Sequence, residues 1–406
     1  MGYAFGPDDV AFLRSRHGER ALEVVSELPL TSSTMLADVS QVRNRYAPFD
    51  AALIEVVRCR RRASSKLRNA DQLILSDDAL QQATASVVAA HRAAEIAARF
   101  GSVVVHDITC SIGAELTELA AQPGLHAVIG SDLDGIRLAM AQHNTSFGPG
   151  HAPTLMRADA LMPSSNADVV IADPARRTGS GRIFRLDQLS PPLLDVLMTY
   201  SGRPLIVKCA PGLDYQVLRD RFGYVGEVQV TSLDSSVREA CLWVGPGIDD
   251  GRRATVLRSR PDGSITEYEI TDADPDDVDP GAPGEWIVDP DGAIVRAGLV
   301  RQYAHRHGLW QLDPQIAYLT GNVVPSGERG FRILEQISST GDKALRKALA
   351  AHDCGTLEIL VRGLDVDPDA LRKRLKLKGS RSLSLVLTRI GRKGVAFICA
   401  AGQRFE

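Results

Sequence analysis

The sequence predicts an α/β protein centred on a doubly wound, mainly parallel sheet, with a helical region before it and a small α+β domain after it. Three observations carry this. Residues 1 to about 100 hold few strand-like runs and end in "DDALQQATASVVAAHRAAEIAARFG", apolar at three-to-four spacing and closed by Gly101. From Val103 to Gly245, short apolar runs ("VVVHDI", "HAVIGSD", "TLMRAD", "ADVVIAD", "RPLIVKC", "VGEVQV", "ACLWVG") alternate with helix-like segments, which demands crossovers and parallel pairing. The final stretch, from "RGFRILEQ" to "GVAFICA", reads β-α-β-α-β-β.

The elements follow in order. Residues 1–100 form the helical region and residues 101–247 the sheet. Only "TSLDSSVRE" separates its last two strands, too little for a crossover helix, so they should pair antiparallel. Residues 248–330 read as hairpin and linker: "RRATVLRSRPDGSITEYEI" turns around Pro261, Asp262 and Gly263, and an acidic, proline-containing stretch runs on to Gly284. Residues 331–406 are the α+β tail.

The 406 residues, 44% hydrophobic and 24% charged, suffice for a substantial core. No run of about 18 uninterrupted apolar residues occurs, and acids and arginines occupy the N-terminus where a signal peptide would be apolar, so a cytoplasmic protein without a membrane span is expected. Cys59, Cys110, Cys209, Cys241, Cys354 and Cys399 are scattered without a C-x-x-C pair, which suggests neither a disulfide framework nor a metal site. Net charge is only −3, yet basic residues concentrate in Arg58 to Arg68 and in Leu371 to Arg381. Each cluster reads equally as an anion-binding face or as a solvated helix surface.

The run "VVVHDITCSIGAELTELA" is a strand, turn and helix of the kind that opens a doubly wound sheet and sets its ligand at the strand's carboxyl end. It has one glycine, Gly113, where a pyrophosphate site wants three, and Glu115 in the first helical turn answers the helix dipole and repels phosphate. S-adenosylmethionine, a sulfonium cation without phosphate, fits better. Asp107 would lie near its cationic methionine part, and small residues from Cys110 to Gly113 would let the backbone approach. Asp132, about 25 residues after Asp107, would accept the ribose hydroxyls, and Asp159 the adenine amino group. Asp134 is better read as a helix cap, and His106 and Cys110 as packing residues.

"DITCSIGAE", "GSDLDGIRLAMAQHN", "ADA" and "DVVIADPARR" resemble the motifs of class I S-adenosylmethionine-dependent methyltransferases. With "VKCAPGLD", the helical start and the α+β tail, the chain resembles bacterial members that carry a THUMP-like C-terminal domain. The resemblance implies a Rossmann-like, seven-stranded methyltransferase sheet and an RNA substrate, tRNA or rRNA, bound through the tail.

It also frames the fourth strand end. Base-amine methyltransferases carry Asp/Asn-Pro-Pro-aromatic there; Asp173 and Pro174 match, but Ala175 and Arg176 depart, which speaks against an exocyclic-amine target. Asp173, Pro174 and Arg176 are candidate catalytic residues, Asp173 also contacting the donor. Arg176 and Arg177 could stack on a base or grip a phosphate, or one could pair with Asp173 as architecture. On the next strand, Lys208 and Cys209 lie where "KCAP" is distantly similar to the Cys-x-Pro of uracil C5-methyltransferases. Cys209 could be a nucleophile with its thiol pKa lowered by Lys208, or a small buried hydrophobe. Lys208, Asp214 and Glu239 complete the expected cleft, Glu239 being core-facing, salt-bridged or substrate-facing.

In the tail, Asp367 caps a helix bearing Arg372, Lys373, Arg374, Lys376 and Lys378, read as a phosphate-tracking edge. The main expectation is methyl transfer to a base in structured RNA, docked by the tail and the N-terminal arginines. Two alternatives stand beside it: a small-molecule or protein acceptor, and a non-catalytic RNA-binding protein with a vestigial methyltransferase fold.

Overall fold

The computed structural model describes residues 2–176, 189–210, 212 and 215–405. The chain divides into two compact units, residues 1–228 with 238–250, and residues 229–237 with 251–406.

The first unit opens with six helices, α1 (Pro7–Leu13), α2 (Arg16–Ser26), α3 (Met35–Tyr46), α4 (Asp50–Ala63), α5 (Asp77–Gln82) and α6 (Ser86–Phe100). Ser15 and Ser76 start α2 and α5 by accepting hydrogen bonds from the Gly18 and Ala79 amides. Gly101, at φ 74°, ends α6. Their buried residues, among them Val10, Leu13, Val25, Leu53 and Val56, share one apolar cluster with Ile112 and Met140 from further along the chain. The helical region is therefore packed onto the sheet's own loops and helices.

The sheet elements are β1 (Val104–Asp107), α7 (Ala114–Ala120), β2 (Ala127–Asp132), α8 (Gly135–Asn144), β3 (Thr154–Arg157), β4 (Val169–Ala172), β5 (Ala175–Arg176), β6 (Leu189–Ser190), α9 (Leu193–Thr199), β7 (Leu205–Cys209), α10 (Tyr215–Phe222), β8 (Glu227–Leu233) and β9 (Ser236–Val244). Strand order is β3, β2, β1, β4, β7, β9, with β8, which begins in this unit, as the seventh strand. The pairs from β3 to β7 are parallel and β9 runs antiparallel to β7. These seven strands follow the expected Rossmann-like order within a sheet of nine strands. The order reverses at β1 and β4, so a ligand crevice belongs at their carboxyl ends.

Both faces of the sheet are covered, which is why "VVIA" of β4 is apolar throughout. Val169 and Ile171 join Ala93 and Ile96 of α6 and Leu116 of α7, while Val170 and Ala172 join Leu193 of α9 and Leu218 of α10.

The second unit begins its own run with the hairpin β10 (Gly251–Ser259) and β11 (Ile265–Thr271), turning at Gly263, φ 82°. The residues after the acidic loop, expected as linker, are structured. The structure has β12 (Trp286–Val288), α11 (Gly292–Arg296), α12 (Val300–His307), β13 (Trp310–Gln311) and β14 (Leu319–Gly321) there.

The tail then follows the expected order: β15 (Arg329–Ile337), α13 (Asp342–Ala351), β16 (Cys354–Val361), α14 (Pro368–Leu375), β17 (Arg381–Ile390) and β18 (Lys393–Ala400), with β19 (Gln403–Arg404) added. β16 and β17 are parallel and β17 and β18 antiparallel; Leu345, Leu349, Leu371 and Leu375 seat α13 and α14 on one cluster with Leu385 and Ile398. Among the described residues no helix is long and apolar enough to cross a membrane.

Candidate active site

Three aspartates close adjoining strands. Asp107, ending β1, is buried and accepts hydrogen bonds from the Thr109 amide (3.0 Å) and hydroxyl (3.4 Å). The same hydroxyl accepts from the Asp173 amide at 2.6 Å, so Thr109 ties the end of β1 to the end of β4. Burial, reinforced by the Glu115 charge, pushes the Asp107 carboxyl up to about 7. Asp132, ending β2, is half-buried; one carboxylate oxygen accepts from the Ser111 amide and the other from the Asp134 amide, each at 2.9 Å.

The turn between β1 and α7 needs its glycine twice over. Gly113 sits at φ 82°, and a Cβ there would stand 3.0 Å from Thr145 Cγ2 and 3.2 Å from Ala141 Cβ. Cys110 gives the turn only backbone: its thiol is buried in the cluster under α7, and its pKa is pushed up by burial. Asp134 caps α8 through the Ile136 and Arg137 amides, as expected. Asp159 lies two residues beyond β3, exposed, accepting from the Leu161 amide at 2.9 Å. His106 bonds Ser131 and Ser165, and burial, then Arg203, lowers its pKa to about 4; it is a neutral packing residue.

Beneath the strand ends runs a buried ionic network. Lys208, on β7, sets its ammonium 2.5 Å from Asp173 and 3.7 Å from Glu115. Glu115 is gripped by Arg92 of α6 through two bonds of 2.7 and 3.1 Å, and Arg92 also pairs with Glu239 and donates to Cys241 Sγ at 3.1 Å. Burial opposes the charges, but the partners win: Lys208 is raised by Asp173, Glu115 and Glu239, while Glu115 is lowered by Arg92 and Lys208. Glu115 is thus spent on Arg92 and Lys208 rather than on the helix dipole, and Glu239 is salt-bridged. Arg92 was missed in the sequence, although it lies on the buried face of α6 with Val88, Ala89, Ala93 and Ile96. A lone cation at a core position of an amphipathic helix was the available signal.

Lys208 and Cys209 alternate along β7 and face opposite sides of the sheet. Cys209 packs with Leu193 and Leu218, and its thiol is pushed up by burial and then by Asp173. The expected depression by Lys208 does not occur, because that ammonium is engaged on the other face. Pro174 is buried, and β5 pairs with β6. Of Arg176 only the backbone is described; Arg177 and Asp214 lie outside the described residues.

The two basic clusters differ. In the first, Arg60 donates to the Leu73 and Gln72 carbonyls, Arg61 to those of Ser26, Leu28 and Pro29, and Lys66 to those of Leu80 and Gln81. Arg62 pairs with Asp77 and Arg68 with Glu118. Arg60, Arg61, Arg62, Lys66 and Arg68 thus have partners within the fold, while Arg58 is exposed. In the tail, Arg374 pairs with Asp342 and Arg372 with Asp369, whereas Lys373, Lys376 and Lys378 are exposed without a bond or ion pair among the described residues. Asp367 caps α14 as expected.

A family model described as THUMP domain-like matches residues 328–401, and a domain of unknown function matches residues 6–63. Two relatives, uncharacterized S-adenosylmethionine-dependent methyltransferases from the CDC 1551 / Oshkosh and ATCC 25618 / H37Rv strains of Mycobacterium tuberculosis, are each 48% identical over 372 residues. The match covers 88% of this chain and 98% of each relative. The chain belongs to the S-adenosylmethionine-dependent methyltransferases.

A crystal structure described as a methyltransferase, from Porphyromonas gingivalis W83, shares the fold of this methyltransferase at a TM-score of 0.75 and 18% identity, covering 98% of this chain and 99% of that one. The methyl donor is S-adenosylmethionine, and the strand-end chemistry fits it. The carboxylates of Glu115, Asp173 and Glu239, with Asp107 about half ionised near neutral pH, outnumber the cations Arg92 and Lys208, a balance that suits a sulfonium and disfavours a phosphate.

Proposed function

We propose that the protein transfers a methyl group from S-adenosylmethionine to a base in structured RNA, tRNA or rRNA, in the cytoplasm. The observation that carries the RNA assignment is the THUMP-like match over residues 328–401, whose α14 edge exposes Lys373, Lys376 and Lys378. In this reading residues 101–247 hold the donor and residues 331–406 dock the RNA. Residues 1–100 support the donor site, and residues 248–330 connect the two.

The donor supplies an electrophilic methyl group on a sulfonium and departs as a neutral thioether. Asp132, fixed by two backbone amides, accepts the ribose hydroxyls with its remaining lone pairs. Asp107 faces the cationic end, Asp159 takes the adenine amino group, and the Cys110–Gly113 turn passes beside the donor. Asp173 keeps one carboxylate oxygen on Lys208 and offers the other to the acceptor, with its side chain 36% exposed. Arg176 and Arg177 contact the acceptor nucleotide, and Pro174 stiffens the strand end. The rate gain comes from aligning acceptor and methyl. Cys209, buried and held as the thiol, stays a core residue, so no covalent adduct to the base is involved.

The test is incubation of the protein with tritium-labelled S-adenosylmethionine and size-fractionated RNA, alongside Asp173→Asn. Label in one RNA fraction, lost in the variant, is the expected result. Label confined to protein or small molecules would replace RNA by another acceptor.

A further inference from the structure

The match over residues 6–63 gives that segment no role, yet α1 stands against the donor half of the sheet. A groove of about 490 Å³ runs between α1 and the start of α8, within the range of small-molecule sites. Pro7, Val10, Ala11 and Arg14 form one wall; Leu133, Gly135, Ile136 and Ala139 form the other, with Arg157 of β3 beside them.

The groove begins one residue after Asp132. Leu133 is 60% exposed although apolar, and its carbonyl accepts from Arg157 Nε at 2.9 Å. Across the groove, Arg14 is anchored by donating to Gln142 of α8 at 2.9 Å. Asp134, the acid on the rim, is spent on the Ile136 and Arg137 amides and on the Arg137 guanidinium at 3.7 Å. What remains is a pair of apolar walls flanked by two guanidinium planes. That composition suits a flat, electron-rich heteroaromatic ring whose edge nitrogens are hydrogen-bond acceptors.

α1 also packs into the same core as the donor turn. Val10 and Leu13 are buried in the cluster that contains Ile112 and Met140. The Asn144 amide accepts from the Ile74 amide at 2.7 Å and donates to the Ile74 and Ile112 carbonyls, fastening the helical region to the loop that presents Ser111 to Asp132.

We propose that α1 is the outer wall of the donor site and that Ala11 and Arg14, with Leu133 and Arg157, clasp the adenine ring of S-adenosylmethionine. This rests on the assignment of Asp132 to the ribose, and gives the N-terminal segment a part in donor binding.

Calorimetric titration of the full chain with S-adenosylhomocysteine and with 5′-methylthioadenosine, which lacks the amino-acid end, tests it. The variants are Ala11→Trp, which fills the groove from an exposed position; Arg14→Ala, which opens it; and Asp132→Ala. Thermal melting reports folding. The expected result is a loss of about tenfold or more for Ala11→Trp toward both ligands, with a smaller loss for Arg14→Ala. If Asp132→Ala weakens binding while folded Ala11→Trp and Arg14→Ala bind like the parent, α1 is no part of the site and the ribose assignment survives. If Asp132→Ala binds like the parent, the ribose assignment fails and the adenine site with it.

Discussion

The segments 58–68 and 371–381 each carry six basic residues and partner them differently. In the first, Arg60, Arg61 and Lys66 bond backbone carbonyls, Arg62 and Arg68 bond carboxylates, and Arg58 is exposed. Arg61 reaches carbonyls at and just past the end of α2, Lys66 those of the last turn of α5, and Arg60 those of the loop at Gln72 and Leu73. The second hangs α14 on Leu371 and Leu375, and the opposite face carries Lys373, with Lys376 and Lys378 just past its end. How many cations of a basic run are left without a helix end or a carboxylate as partner therefore depends on tertiary neighbours.

Arg92 is the extreme of the inward kind, and its removal has the largest expected effect. Arg92→Met leaves Glu239 buried without its paired cation and Glu115 with Lys208 alone, which costs about 3–5 kcal/mol of stability by denaturant unfolding. A loss below about 1 kcal/mol would break the view that inward cations are structural. Next comes the outward kind. Lys373→Glu, Lys376→Glu and Lys378→Glu combined should lower RNA affinity by about tenfold or more and flatten its salt dependence, without lowering the melting temperature. Unchanged RNA binding would make the tail cluster a solvated surface like any other.

Arg60→Ala sharpens the contrast from the other side. Loss of its bonds to the Leu73 and Gln72 carbonyls should cost about 1–3 kcal/mol and leave the RNA affinity of the folded protein unchanged. Weaker RNA binding by that folded variant would return the first cluster to the RNA surface.

A further prediction concerns a buried carboxyl without a cation of its own. The Asp107 pKa is about 7 when folded against an ordinary 3.8, so the folded state holds its proton more tightly. Its contribution to stability is present below pH 4 and is lost as pH rises from about 4 to about 7. His106 works in the opposite sense, losing stability as pH falls from 6.5 to about 4, so the comparison must be with Asp107→Asn. The variant should be relatively more stable at pH 7.5 than at pH 4.5; an equal difference at both would contradict the burial argument.

Much of this was legible in the chain. Strand ends at Asp107, Asp132 and Asp173, the caps Asp134 and Asp367, and the β-α-β-α-β-β tail follow from local signals of period and capping. The strands and helices between Trp286 and Gly321 were not read. β12, β13 and β14 have only two or three residues each, too few to show a period. Arg92, Thr109 and the fate of Lys208 depend on which faces meet across the sheet. The strand pattern could place Lys208 and Cys209 on opposite faces, but it could not say that Asp173 and Glu115 would hold the ammonium.

The most direct measurement of the central claim, that the carboxyl ends of β1, β2 and β4 hold the methyl donor, is calorimetric titration of the protein with S-adenosylhomocysteine beside Asp132→Ala. The account predicts micromolar binding, weakened by about tenfold or more in the variant. Equal affinity in the two proteins, or no binding by the folded parent, would contradict it.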